Sequence, residues 1–106
     1  MGYVIHKFPI QATTQHILTD PSARFIHMAM QRGVPCVWAI VDTDVPIAEI
    51  VLEVFGTGHD GLDPARHAYI GTWQDEPQLH VWHLFKVKSV PVQPPRPLPS
   101  EPFRKG

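Results

Sequence analysis

The chain is poor in cysteine, serine, net charge and long apolar runs. Cys36 is the only cysteine in 106 residues, which excludes a disulfide framework. It lies inside the apolar stretch Cys36-Val37-Trp38-Ala39-Ile40-Val41 and reads as a buried, inert thiol rather than a reactive one. No segment approaches the roughly 18–20 consecutive apolar residues of a membrane helix. No basic region followed by an apolar stretch opens the chain as a secretory signal would, so a cytoplasmic protein is expected. The net charge of −1 divides unevenly: residues 1–88 hold six Lys/Arg against nine Asp/Glu (−3), residues 89–106 three against one (+2). Without a basic stripe in the body, nucleic acid is not an expected partner. Ser22 is the only serine before residue 89, and it falls in a turn, which leaves nucleophilic catalysis little to draw on. Helical periodicity is also missing beyond two turns anywhere in the chain.

Proline is plentiful but segregated, with six of twelve in residues 89–106. The expected organisation is one folded domain over residues 1–88 and a Pro-rich extended tail over 89–106, with P-x-x-P spacing. A body this short buries only about 60–65% of its unfolded surface, which makes self-association a natural remedy.

Alternation of apolar and polar residues dominates the body. It predicts strands at Tyr3–Phe8, Thr13–Leu18, Arg24–Gln31, Cys36–Val41, Ala48–Phe55, His67–Gln74 and Leu79–Lys88. In the third, Ile26, Met28 and Met30 share one face, and Phe25, His27 and Ala29 the other. The fourth is apolar on both faces, as expected of a strand covered on each side. In the fifth, Ala48, Ile50, Leu52 and Val54 point inward and Glu49 and Glu53 outward. The last places Leu79, Val81, Phe85 and Val87 together and leaves Trp82 and Leu84 on a second face that something must cover. The fold class is all-β: a single antiparallel sandwich or partly open barrel of six to seven short strands. A short helical turn near residues 20–24 or 60–66 is compatible with this pattern.

The loop Gly56-Thr57-Gly58-His59-Asp60-Gly61 is the segment whose chemistry stands out. Its glycines let backbone N–H groups approach an anion, Thr57 adds a hydroxyl and His59 a titratable ring. A strand-terminating turn with His59 bonded to the backbone is the plainer alternative. The loop lacks the Lys-Ser/Thr of a phosphate-binding P-loop. Seven histidines raise the question of metal, yet His80 and His83 fall on opposite faces of a strand and no metal-ligand spacing occurs; no metal or cofactor is expected. His59, His67, Asp60 and Asp63 are the remaining acid–base candidates. Trp38 reads as core. Trp73 and Trp82, beside Gln74, His80 and His83, suit either packing or the recognition of a flat heterocycle.

The ordered segments Ile5-His6-Lys7, Ala23 through Gln31, Gly33 through Asp42, Phe55 through His59, Tyr69 through Gln74 and Val81 through Phe85 resemble a family of short proteins. These are encoded by bacteriophages and bacterial genomes and classed as a domain of unknown function. The resemblance covers about residues 3–86 and implies phage or prophage origin; the Pro-rich tail departs from it. Small phage proteins often disable host factors or capture signalling nucleotides as oligomers.

The resulting expectation is a non-catalytic, homo-oligomeric binding protein, in its sharpest form an anti-defence factor binding a nucleotide-like ligand or a host immune protein. Gly56, Thr57, Gly58, His59, Trp73, Gln74 and His83 form the expected ligand-facing set, and Trp82 and Leu84 the subunit contact. The alternatives are a protein–protein module acting through a sheet edge or the tail, and a small hydrolase using His59, Asp60 and His67.

Overall fold

A computed structural model describes residues 2–75 and 80–88; the Pro-rich segment lies outside the described residues. Seven strands form in chain order: β1 (Tyr3–Pro9), β2 (Thr14–Thr19), β3 (Arg24–Gln31), β4 (Val34–Asp42), β5 (Ala48–Gly56), β6 (His67–Asp75) and β7 (His80–Val87). They make two antiparallel sheets, ordered β1-β4-β3 and β2-β5-β7-β6, packed face to face, with no helix among the described residues. The architecture is thus an all-β sandwich rather than a barrel.

The core lies between the sheets. Val37 of β4, Leu52 of β5 and Leu84 of β7 have no exposed surface, and Ile10 and Ile50 join them. Ala23, Ala39 and Val41 form a second buried group. β5 carries the expected faces from Ile50 onward, with Ile50, Leu52 and Val54 turned to this core, while Ala48 at its start is exposed. β3 and β4 are joined by a two-residue turn with Arg32 at φ 52° and Gly33 at φ 81°. This left-handed pair is the type I′ geometry that matches the twist of a hairpin.

Three sequence-based expectations change. In β3 a register shift between Phe25 and His27 breaks the alternation, so Phe25 and Met28 both reach the core while Ile26 is exposed. In β4 only one face is covered by the opposite sheet. Trp38 stands on the other face, half-buried, its ring 5.6 Å from that of His27. In β7 the face bearing Leu84 is the inner one, and the second sheet of the same chain is what covers it. Leu84 is therefore core, with no surface to offer a second subunit. Trp82, two residues earlier on that face, is only half-buried.

The sheets approach most closely where β3 crosses β6, at Gly71. A Cβ added there would sit 2.9 Å from Met28 Cβ and 3.2 Å from its Sδ. The Met28 Cβ cannot swing aside without moving its backbone, so the two sheets would have to part. Gly71→Ala is expected to lower stability by about 1–3 kcal/mol, read from thermal or urea unfolding. A neutral effect would show that the sheets are looser than this contact requires.

Candidate functional site

The Gly56–His59 loop leaves the end of β5 beside the start of β7, because Gly56 pairs with Trp82 across the ladder. Thr57 extends the pairing, its N–H donating to the Val81 carbonyl at 3.1 Å, and His59 N–H closes a turn onto Gly56 O at 3.0 Å. The His59 ring then folds back over Gly56. Its Nδ1 accepts the Gly56 N–H at 3.3 Å, and a Cβ on Gly56 would fall 2.7–3.0 Å from three ring atoms. Glycine at 56 is what makes room for the imidazole. In the neutral ring, an accepting Nδ1 places the proton on Nε2, leaving that N–H to donate elsewhere.

Trp82 is the hub of this end of the sandwich. His59 and His80 both meet the indole edge-on, at centroid distances of 5.8 and 5.7 Å and interplanar angles of 73° and 83°. Around them lies a groove of about 300 Å³ lined by Gly56, Thr57, His59, His80, Val81 and Trp82. Trp82 also walls a second, more apolar groove of about 230 Å³ with Trp73, Val54 and the Ile10–Thr13 connection. Among the described residues, no Lys or Arg lines either groove.

Thr57 and His83 meet as well, but in a different role. Thr57 Oγ1 is hydrogen-bonded to His83 Nε2 at 2.8 Å and lies 3.4 Å from the Val81 carbonyl. His83 Nδ1 is bonded to the Thr72 hydroxyl at 2.9 Å, and Thr72 Oγ1 to the Tyr69 phenol at 2.6 Å. The result is one continuous chain through Tyr69, Thr72, His83 and Thr57 on the outer face of the β2-β5-β7-β6 sheet. Both His83 nitrogens are occupied within it, so the ring braces β6 and β7 against the loop instead of presenting a free group.

The expected ligand-facing set therefore divides. Gly56, Thr57, Gly58 and His59 are contiguous in the loop, and the first, second and fourth line the larger groove. Trp73 is turned inward and lines the apolar groove. Gln74 follows it on the strand, exposed on the opposite face. Trp82, expected at a subunit contact, is the shared wall of both grooves, and His80 takes the place opposite His59. Sequence periodicity could not place these two, because the ladder partner of Trp82 depends on a pairing with a strand 26 residues away (Gly56↔Trp82).

The acid–base candidates separate too. His67 is buried, its Nε2 2.8 Å from Glu53 Oε1 and its Nδ1 accepting the Asp63 N–H at 3.0 Å. Phe55 packs edge-on against it at 5.0 Å. These contacts pin the 63–67 turn to β5. Among the described residues, no group of three His, Cys, Asp or Glu side chains could hold a metal ion. No helix among them is long and apolar enough to cross a membrane.

A family model described as a domain of unknown function, DUF7352, matches residues 1–94. No curated protein and no solved structure matches the chain.

Proposed function

The chain belongs to the DUF7352 family, and from that premise we propose that it is a non-catalytic binding protein whose ligand is a flat, nucleotide-like heterocycle held at the His59–His80–Trp82 groove. The observation that carries this reading is the pair of imidazoles set edge-on around one indole beside an open groove. An aromatic wall offers a stacking surface, and ring N–H groups can satisfy the edge or the anionic substituent of a heterocycle. The His59 Nε2–H, left over once Nδ1 has accepted the Gly56 amide, is the donor assigned to the ligand. Both nitrogens of His83 are used within the sheet, so the proposed site rests on His59, His80 and Trp82 without it. Phage origin and an anti-defence role in the host cytoplasm belong to the same proposal, supported by the resemblance of the Phe55–His59, Tyr69–Gln74 and Val81–Phe85 segments to short phage-encoded proteins.

Isothermal calorimetry against mono-, di- and cyclic nucleotides, with tryptophan fluorescence in parallel, tests this reading. At least one nucleotide class is expected to bind at one molecule per chain. Trp82→Ala should abolish binding, and His59→Ala should weaken it about tenfold, the cost of roughly one hydrogen bond. Silence across the panel, or unchanged affinity in both variants, would sink the proposal.

A further inference from the structure

The three-stranded sheet β1-β4-β3 ends at β1, and that edge is unusual among the four sheet edges formed by the described residues. β3 and β6, at other edges, are interrupted by register shifts, a common way of blunting an edge. β1 and β2 run unbroken, and only β1 exposes three consecutive apolar side chains: Tyr3 (63% exposed), Val4 (40%) and Ile5 (60%). Its one charge, Lys7, does not guard the edge, because its ammonium is hydrogen-bonded to the Gln31 side chain of β3, across β4.

Two flanking hydrogen bonds fix which backbone groups face outward. Thr43 N–H donates to Gly2 O, and Ile10 N–H donates to Pro35 O. In an antiparallel ladder, residues bonded to one neighbour alternate with residues that point away from it. The even-numbered residues of β1 therefore bond to β4. Tyr3, Ile5 and Lys7 direct their N–H and C=O groups away from it, and no strand among the described residues takes them.

This set is symmetric about Ile5. We propose that β1 pairs antiparallel with β1 of a second copy about a two-fold axis at Ile5, forming a dimer with one continuous sheet ordered β3-β4-β1-β1-β4-β3. In that register Ile5 faces Ile5, and Tyr3 faces Lys7 of the second copy. Every outward N–H from Tyr3 to Lys7 then meets an outward C=O, with none left over on either chain. A register displaced by two residues breaks that match and strands Tyr3 or Lys7. An isologous contact of this kind closes on itself and does not propagate into a fibre.

The flank of β1 supports the same occupant. A groove of about 220 Å³ lies beside it, lined by His6, Leu18, Thr19, Val41 and Ile47 among others. Leu18 and Ile47 are 67% and 65% exposed. The Thr19 hydroxyl is buried without a hydrogen-bond partner, the one such side-chain atom among the described residues. In the proposed dimer, Val4 of the second copy stands opposite His6 and covers this groove. Strand pairing alone buries less than the roughly 800 Å² per partner of a standard interface, so burial of Leu18 and Ile47 is part of the contact.

Light scattering on the full-length protein should give twice the 12.0 kDa chain mass. Ile5→Lys, which sets two ammonium groups face to face across the axis, should raise the dimer dissociation constant at least tenfold with an unchanged circular dichroism spectrum. A wild-type monomer at high micromolar concentration, or a dimer untouched by Ile5→Lys, overturns the proposal. Should Ile5→Lys fail to fold, cross-linking decides. Ile5→Cys treated with a short bis-maleimide should yield a covalent dimer, and Tyr3→Cys should not, because its mate in this register is Lys7. Equal cross-linking of the two, or none with Ile5→Cys, overturns it.

Discussion

Leu84→Ala is expected to lower the unfolding free energy by about 3–4 kcal/mol, measured by urea denaturation, with no change in the mass of the native species. Leu84 has no exposed surface and sits between its ladder partners Val54 and Gly71 in the middle of the four-stranded sheet. Val37 of the opposite sheet and Leu52 belong to the same buried cluster. Truncation leaves a cavity that β-sheet backbones on two sides cannot close. For a domain whose total stability is of the order of 5–15 kcal/mol, such a loss is a large share. A residue at a subunit contact would behave in the opposite way, changing mass with little effect on chain unfolding. A loss below about 1 kcal/mol would contradict the core assignment.

Asp20→Ala is the second, and its signature is a dependence on pH. Asp20 is 2% exposed, and its carboxylate accepts three hydrogen bonds: from Asp42 N–H at 2.9 Å, Ser22 N–H at 2.8 Å and the Ser22 hydroxyl at 2.7 Å. It thereby ties the segment that carries the chain from β2 back to the other sheet onto the end of β4. The Asp42 amide is the largest cause holding this carboxyl below its ordinary value of 3.8, with the Ser22 hydroxyl next. In the unfolded chain the group titrates near that ordinary value. The folded state therefore holds fewer protons below it, and stability rises with pH through that window. The contribution of Asp20 is complete above about pH 4 and fades as pH falls through the lowered folded-state value. Asp20→Ala should lower Tm by roughly 5–10 °C at neutral pH, and the gap to wild type should narrow on acidification below pH 4. A gap that stays constant from pH 7 to pH 2 would show that the carboxylate charge has no part in the effect.

Strand existence was legible because each strand is short, alternating and bounded by turn residues. Faces were legible only where the alternation was unbroken and one side was charged. β5 qualifies, with Glu49 and Glu53 marking its outer face. β3 does not, because one extra residue at Ile26 inverts the parity of everything before it, and nothing in Arg24–Gln31 announces the shift. β7 fails for a different reason. Val81, Phe85 and Val87 on one side are as apolar as Trp82 and Leu84 on the other, so composition gives no direction. The outer side is apolar because Phe85 packs with Phe55, Tyr69 and His67 in an aromatic cluster over the sheet. The candidate site was legible as a location, since glycines and a histidine at a strand end are local information. Its walls were not, because His80 and Trp82 reach His59 only through the β5–β7 pairing.

The order of the strands also bears on how the chain assembles. Each sheet contains one local hairpin, β3–β4 and β6–β7, whose innermost partners are Gln31↔Val34 and Asp75↔His80. Every other pairing spans far more chain: the nearest partners are Gly56↔Trp82, Pro9↔Cys36 and Thr19↔Ala48. Each of these must close its loop before its contacts repay the lost chain entropy. The architecture thus belongs with the slow-folding, non-local β topologies, on a scale of milliseconds to seconds. The two hairpins are the pairings with the smallest loop-closure cost, whereas β1 and β2 join their sheets only across long intervening stretches of chain.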